Sequence, residues 1–202
     1  IGLDYEGLVV TDRLATYDCF PAKRRQLCWA HLERDLRGFV QGPRAGRAFG
    51  RAGLQIAQAL MRRARQYKEH GDRARFEGEL RPHLGELIDL LVDGACSDIP
   101  KVSGFAAHLL ARADALWTFA DHDGVPVTNN IAESAVRKPV LWRRSCFGSQ
   151  SDRGLRFAER MMTVVATRRR QGEGLLDYLV EVARATVNGT PTPSLIPQPV
   201  RA

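Results

Sequence analysis

Between residues 42 and 121 the apolar side chains return at steps of three and four, a long helical rhythm that leaves little of this stretch for sheet. Ile56, Leu60, Ala64 and Tyr67 form one stripe. Phe76, Leu80, Leu84, Leu87, Ile88 and Leu91 form a second, and Phe105, Leu109, Ala113, Leu116 and Trp117 a third. Each stripe covers one side of a helix, so three amphipathic helices are expected to bury these faces against one another as a bundle. Such residues are core and carry no chemistry.

Strand signals are confined to the flanks. Gly7-Leu8-Val9-Val10-Thr11 is a short β-branched run that ends at Asp12, and Gln26-Leu27-Cys28-Trp29 is a second candidate that runs into a helix over about residues 30–40. Gly42-Pro43 marks a break. Beyond Gly124-Val125-Pro126, the polar turn Thr128-Asn129-Asn130 opens a helix that contains Glu133. Pro139 is expected to end or interrupt that helix, because it lacks an amide hydrogen and crowds the preceding turn. Val140-Leu141-Trp142 then reads as a strand or extended segment. A long helix is expected over about residues 151–170, with Leu155, Ala158, Met162 and Val165 inward and Arg153, Arg156 and Arg160 on another face. A last helix spans about residues 175–187, and the Pro-, Thr- and Ser-rich residues 188–202 read as an irregular tail. The fold class is α/β and helix-dominated.

The charge is concentrated. Residues 134–172 hold ten Lys or Arg against two acids, a local net of +8, whereas the whole chain carries +7, so the remainder stands at −1. Such a concentration suits a surface that meets phosphates, or else a solvated helix face. The four cysteines, Cys19, Cys28, Cys96 and Cys146, have no paired C-x-x-C spacing, which argues against a disulfide framework or a structural zinc and fits a reducing cytoplasm. No apolar run is long enough to span a membrane, and no secretory signal is visible at the start.

Several residues could carry chemistry. Asp12, at a strand end, suits a Mg²⁺ ligand, since that ion takes one or two carboxylates plus water and phosphate oxygens; it equally suits a cap for a helix after the strand. Glu133 is either the distal carboxylate of a capping box with Asn130 or a ligand held rigidly on a helix. Cys28 and His31 form a lone C-x-x-H, a poor zinc site, and His31 reads as a phosphate neighbour or a satisfied core histidine. Asn129, Arg137, Lys138, Arg143 and Arg144 flank Glu133 and could clamp phosphates. Trp142 and Phe147 interleave with these bases, a mixture able to stack on unpaired bases, although core packing is the expected role of both.

Together these blocks resemble the insertion sequence 66 family of transposases. Leu8-Val9-Val10-Thr11-Asp12-Arg13 with Tyr17 resembles the family's second-aspartate strand, and Arg25-Gln26-Leu27-Cys28-Trp29-Ala30-His31-Leu32-Glu33-Arg34-Asp35 its next block. Thr128-Asn129-Asn130-Ile131-Ala132-Glu133 with Arg137 and Pro139 resembles its glutamate helix. Phe147-Gly148-Ser149-Gln150-Ser151 with Gly154, and Pro193-Ser194-Leu195-Ile196-Pro197, resemble its C-terminal blocks. The blocks are collinear over nearly the whole chain.

The resemblance implies a DDE-type enzyme for DNA transposition and recombination. It implies a partial RNase H-like core, with a helical-bundle insertion between the second aspartate and the glutamate. Residues 1–41 would be the first part of the core, 42–124 the insertion, 125–187 the continuation with the glutamate and basic helices, and 188–202 the tail. Asp12 and Glu133 become the second and third catalytic carboxylates and the ligands of Mg²⁺ or Mn²⁺. His31, Asn129, Arg137, Lys138, Arg143, Arg144, Arg153, Arg156 and Arg160 become DNA contacts, with Cys28 and His31 matching a C-x-x-H element near the scissile DNA. The expected partners are the insertion-sequence ends and target DNA, a second copy of the protein and accessory transposition proteins, in the bacterial cytoplasm and on the nucleoid. The family's first aspartate precedes the Asp12 strand by more than the eleven residues present here, and Asp4 is too close to supply it. The chain is therefore expected to be a truncated, inactive fragment, or alternatively a non-catalytic DNA-binding or regulatory one.

Overall fold

A computed structural model describes residues 5–196; Asp4 of the lead and Pro197 of the last block lie outside them, as does the rest of the tail. The chain divides into two compact units, Ile1–Ile131 and Ala132–Ala202.

In the first unit, strands β1 (Val9–Thr11) and β2 (Arg25–Leu27) pair in parallel, Val9 opposite Arg25 and Thr11 opposite Leu27. Parallel strands need a crossover, and residues 12–24 supply a compact one with short 3-10 turns at Ala15–Cys19 and Ala22–Arg24. Helices α1 (Trp29–Gln41), α2 (Arg47–His70), α3 (Arg73–Ala95), α4 (Pro100–Leu110) and α5 (Asp114–Asp121) come next. Their stripes meet in one core that includes Leu32, Leu36, Leu60, Leu80, Leu91 and Leu116. Phe39, Phe49 and Phe105 interlock edge to face within it, with ring centroids 5.2–6.0 Å apart. α2 ends at Gly71, whose φ of 71° takes the left-handed cap conformation open to glycine. α3 then starts at an Asp72 cap that accepts from the Arg75 amide at 3.0 Å.

β2 is wholly buried yet carries two polar side chains, and each is satisfied. Its edge away from β1 meets α5 in place of a strand. The Thr118 hydroxyl donates to the Arg25 carbonyl at 2.6 Å, and the Gln26 amide nitrogen donates to the Leu27 and Leu116 carbonyls at 2.7 and 3.2 Å. The Phe119 amide donates to Gln26 Oε1 at 2.7 Å. A buried sheet edge would otherwise leave carbonyls orphaned, at about 1–3 kcal/mol each.

The second unit holds most of α6 (Asn130–Cys146), then α7 (Asp152–Gln171) and α8 (Leu175–Asn188). Tyr178 and Ala185 of α8 are its buried residues among those described, and the Tyr178 hydroxyl donates to the Pro193 carbonyl. Gln171 donates to the Leu195 carbonyl at 2.7 Å, fastening the residues after α8 back onto α7.

The helix-dominated reading holds, and four local expectations are corrected. Pro139 does not stop α6: the helix runs through it to Cys146, so Val140-Leu141-Trp142 is helical and not extended. The third central stripe belongs to two helices, because Ala111–Ala113 form a turn across which the spacing happens to persist. In α7 no residue is fully buried, and Leu155, expected to face inward, is exposed. Phe147 is not core; it is 92% exposed.

Candidate nucleic-acid and catalytic site

Asp12 leaves β1 at the carboxyl end of a parallel pair, the end at which α/β sheets gather reactive groups. Its Oδ1 accepts from the Leu14 amide at 2.9 Å, an Asx-type turn that starts the crossover and orients the carboxylate. Arg13 turns the other way, bonded to Asp35 of α1 at 2.6 Å with its guanidinium over the Phe105 ring.

The crossover is clamped by Arg25, whose side chain is 2% exposed. Its Nε donates to Thr11 Oγ1 at 2.8 Å, Nη2 to the Asp12 carbonyl at 2.9 Å, and Nη1 to Asp18 Oδ1 at 2.7 Å. Asp18 is held from the other side by Arg112, in the turn between α4 and α5. Hydrogen bonds from Arg112 and then Arg25 hold the Asp18 carboxyl well below the usual carboxylate range, against the opposing effect of burial. Sequence reasoning missed this cluster. The available signal was a charged and an amide residue side by side in a buried strand, Arg25-Gln26, which demands partners.

Cys28 of the C-x-x-H pair makes a structural contact. The Cys28 thiol is buried and accepts from the Asn129 amide at 3.4 Å, while the Trp29 amide donates to the Val127 carbonyl at 3.0 Å. Residues 127–129, which lead into the glutamate helix, are thereby tied to the junction of β2 and α1. His31 is half-buried on the first turn of α1. A cavity of about 640 Å³ opens beside this lead-in, lined by Met61, Tyr67, Phe76, Phe119, Val125 and Val127 among others.

In the second unit Glu133 stands exposed in the first turn of α6. Arg137, Lys138, Arg143 and Arg144 lie further along the same helix, all exposed, with Arg143 and Arg144 in its last turn. There they complement the carbonyl end of the helix and remain open to a ligand. Arg153, Arg156 and Arg160 of α7 come together along one cleft of about 550 Å³ with Phe157 and Asp152. Asp12 and Glu133 therefore belong to different units. Among the described residues no group of three or more His, Cys, Asp or Glu side chains gathers as a metal site, and none of the helices is long and apolar enough to cross a membrane. An Asp and a Glu are nonetheless the donors Mg²⁺ prefers, with water and phosphate oxygens completing its shell.

A family model described as "Transposase IS66 family" matches residues 2–157, a span that includes both Asp12 and Glu133. No curated protein and no solved structure matches the chain. Most of the sequence, from the Asp12 strand through the start of the basic helix, is covered by that match, and the chain belongs to the IS66 family of transposases.

Proposed function

We propose that Asp12 and Glu133 are the second and third carboxylates of a DDE-type site, set in an RNase H-like core that residues 42–124 interrupt, with 1–41 and 125–187 as its two parts. What carries the reading is the family match across both carboxylates, together with the position of Asp12 at the carboxyl end of β1. Mg²⁺ or Mn²⁺ bound by these carboxylates would supply charge neutralisation at phosphorus and a more acidic attacking hydroxyl. The chain's own residues position the DNA. Arg137, Lys138, Arg143 and Arg144 hold phosphates on either side of the scissile bond, and Asn129 and His31 are further DNA contacts.

The reaction is in-line displacement. Water attacks the phosphodiester, the bond to the 3′ oxygen breaks, and that freed 3′ hydroxyl attacks a phosphodiester of target DNA, releasing a 3′ hydroxyl there. Two DNA ends must be held together for both to join one target, which calls for more than one copy of the site. In transposition-competent protein, Asp12→Asn or Glu133→Gln should reduce strand transfer to background while DNA binding persists. Normal transfer by either variant would refute the assignment.

A second reading is favoured by the confinement of the Arg153, Arg156 and Arg160 cleft to the second unit: a DNA-binding module that does not cut. Titration against salt with and without Mg²⁺ separates the two, since a pure binder keeps its affinity without metal and never nicks.

A further inference from the structure

Cys146 ends α6 and Asp152 begins α7, and the turn between them is built to keep one ring in water. Phe147 is the most exposed of the large hydrophobic residues described, at 92%. Its φ of 57° makes it the one non-glycine residue with positive φ among those described, and Gly148 comes next at 76°. Two successive residues with positive φ turn the chain sharply and leave the ring in solvent. A bulky residue in that region is strained, and such strain marks functional positions more often than neutral ones.

The turn is also fixed from the far side. Ser151 caps α7 by accepting from the Gly154 amide at 3.2 Å. Ser149 packs so closely on Gly154 that a Cβ there would stand 2.8 Å from its hydroxyl. The Arg143 side chain lies against Gly148, its Cγ 3.6 Å from where a Cβ would stand. Phe147 is thus displayed by a capped, packed turn.

The surroundings of the ring decide its partner. Arg143 and Arg144 precede it and Arg153 and Arg156 come after it, against the single carboxylate of Asp152 in this stretch. Phe157 stands one turn further, 66% exposed, in the cleft that Arg153, Arg156 and Arg160 line. An apolar protein partner would match the rings and leave the arginines unpaired. Stacked duplex would match the arginines and offer no base face to Phe147. A strand with an unpaired base satisfies both, since any base has a π-face and its phosphates meet the cations.

We propose that the turn from Cys146 to Ser151 is a base-stacking element, in which Phe147 stacks on an unpaired base of DNA while Arg143, Arg144, Arg153 and Arg156 hold the flanking phosphates. The inference rests on the DNA-handling role above and not on the carboxylate assignment.

The full chain should bind a duplex with a short single-stranded 3′ overhang more tightly than a blunt duplex of equal length, and should change the fluorescence of 2-aminopurine placed in that overhang. Phe147→Ala should weaken overhang binding about ten-fold or more, the scale of one lost base stack, and leave blunt binding unchanged. Phe147→Trp should keep the preference; Phe147→Leu should lose it. Arg153→Gln should instead weaken both ligands and lower the salt dependence. If Leu restores binding as well as Trp, or if Phe147→Ala weakens both ligands equally, the ring packs on protein and the proposal falls. Wild-type protein that binds neither DNA would overturn the functional reading along with it, whereas DNA binding without an overhang preference would overturn this proposal alone.

Discussion

Arg25 shows how a single buried charged residue can hold a crossover loop in place. Three of its nitrogens reach a hydroxyl, a carbonyl and a carboxylate on residues 11–18. Arg25→Met should keep much of the packing and leave those acceptors short of donors, at about 1–3 kcal/mol of stability in urea denaturation. The cost stays moderate because Asp18 is partly exposed and keeps Arg112. Asp18 makes a pH prediction with a definite sign. Its folded-state pKa lies below the ordinary value of 3.8, so its contribution is fully present above that value and is lost as pH falls below it. Asp18→Asn should therefore be less stable than wild type at neutral pH and show a shallower decline under acid, read from thermal melts between neutral pH and pH 2. The place of Asp12 at a strand end was legible in the sequence because a short β-branched run ends on it. Arg25 was not, since a lone arginine in a strand reads as solvent-facing until the fold supplies its acceptors.

At the level of helices, packing sorts the glycines. A Cβ on Gly50 of α2 would stand 2.6 Å from Phe39 Cβ and 2.9 Å from the Val40 amide of α1, whereas one on Gly85 of α3 meets nothing within 4 Å. Gly50→Ala should cost about 1–3 kcal/mol through overpacking, and Gly85→Ala should gain up to about 1 kcal/mol from helix propensity. Opposite shifts in melting temperature check the pair. The helical rhythm of residues 42–121 was readable because each stripe buries one face. The split between α4 and α5 was not, because the turn at Ala111–Ala113 keeps the same spacing. The helix through Pro139 escaped for a related reason. Proline removes one hydrogen bond and crowds the carbonyl four residues back, yet Ala135 is exposed and water can take that carbonyl. Pro139→Ala should make α6 more resistant to thermal melting followed by circular dichroism and leave its boundaries in place.

Across the whole molecule, burial is uneven. The first unit encloses a continuous core from Leu27 to Ala120, while α6 and α7 contain no fully buried residue among those described. Hydrogen exchange should accordingly be slowest in β2 and the first turns of α1, and much faster along α6 and α7; uniform protection would contradict this. The basic stretch of the sequence maps onto those two lightly buried helices, so charge and weak burial coincide there.

The satisfied far side of β2 has a consequence for how a sheet can grow. With Thr118 and Gln26 occupying the outward carbonyls of Arg25 and Leu27, no strand can join there. Widening is one-directional: any added strand must dock along Val9–Thr11, and Asp12 would then stand at the centre of the enlarged sheet instead of at its rim.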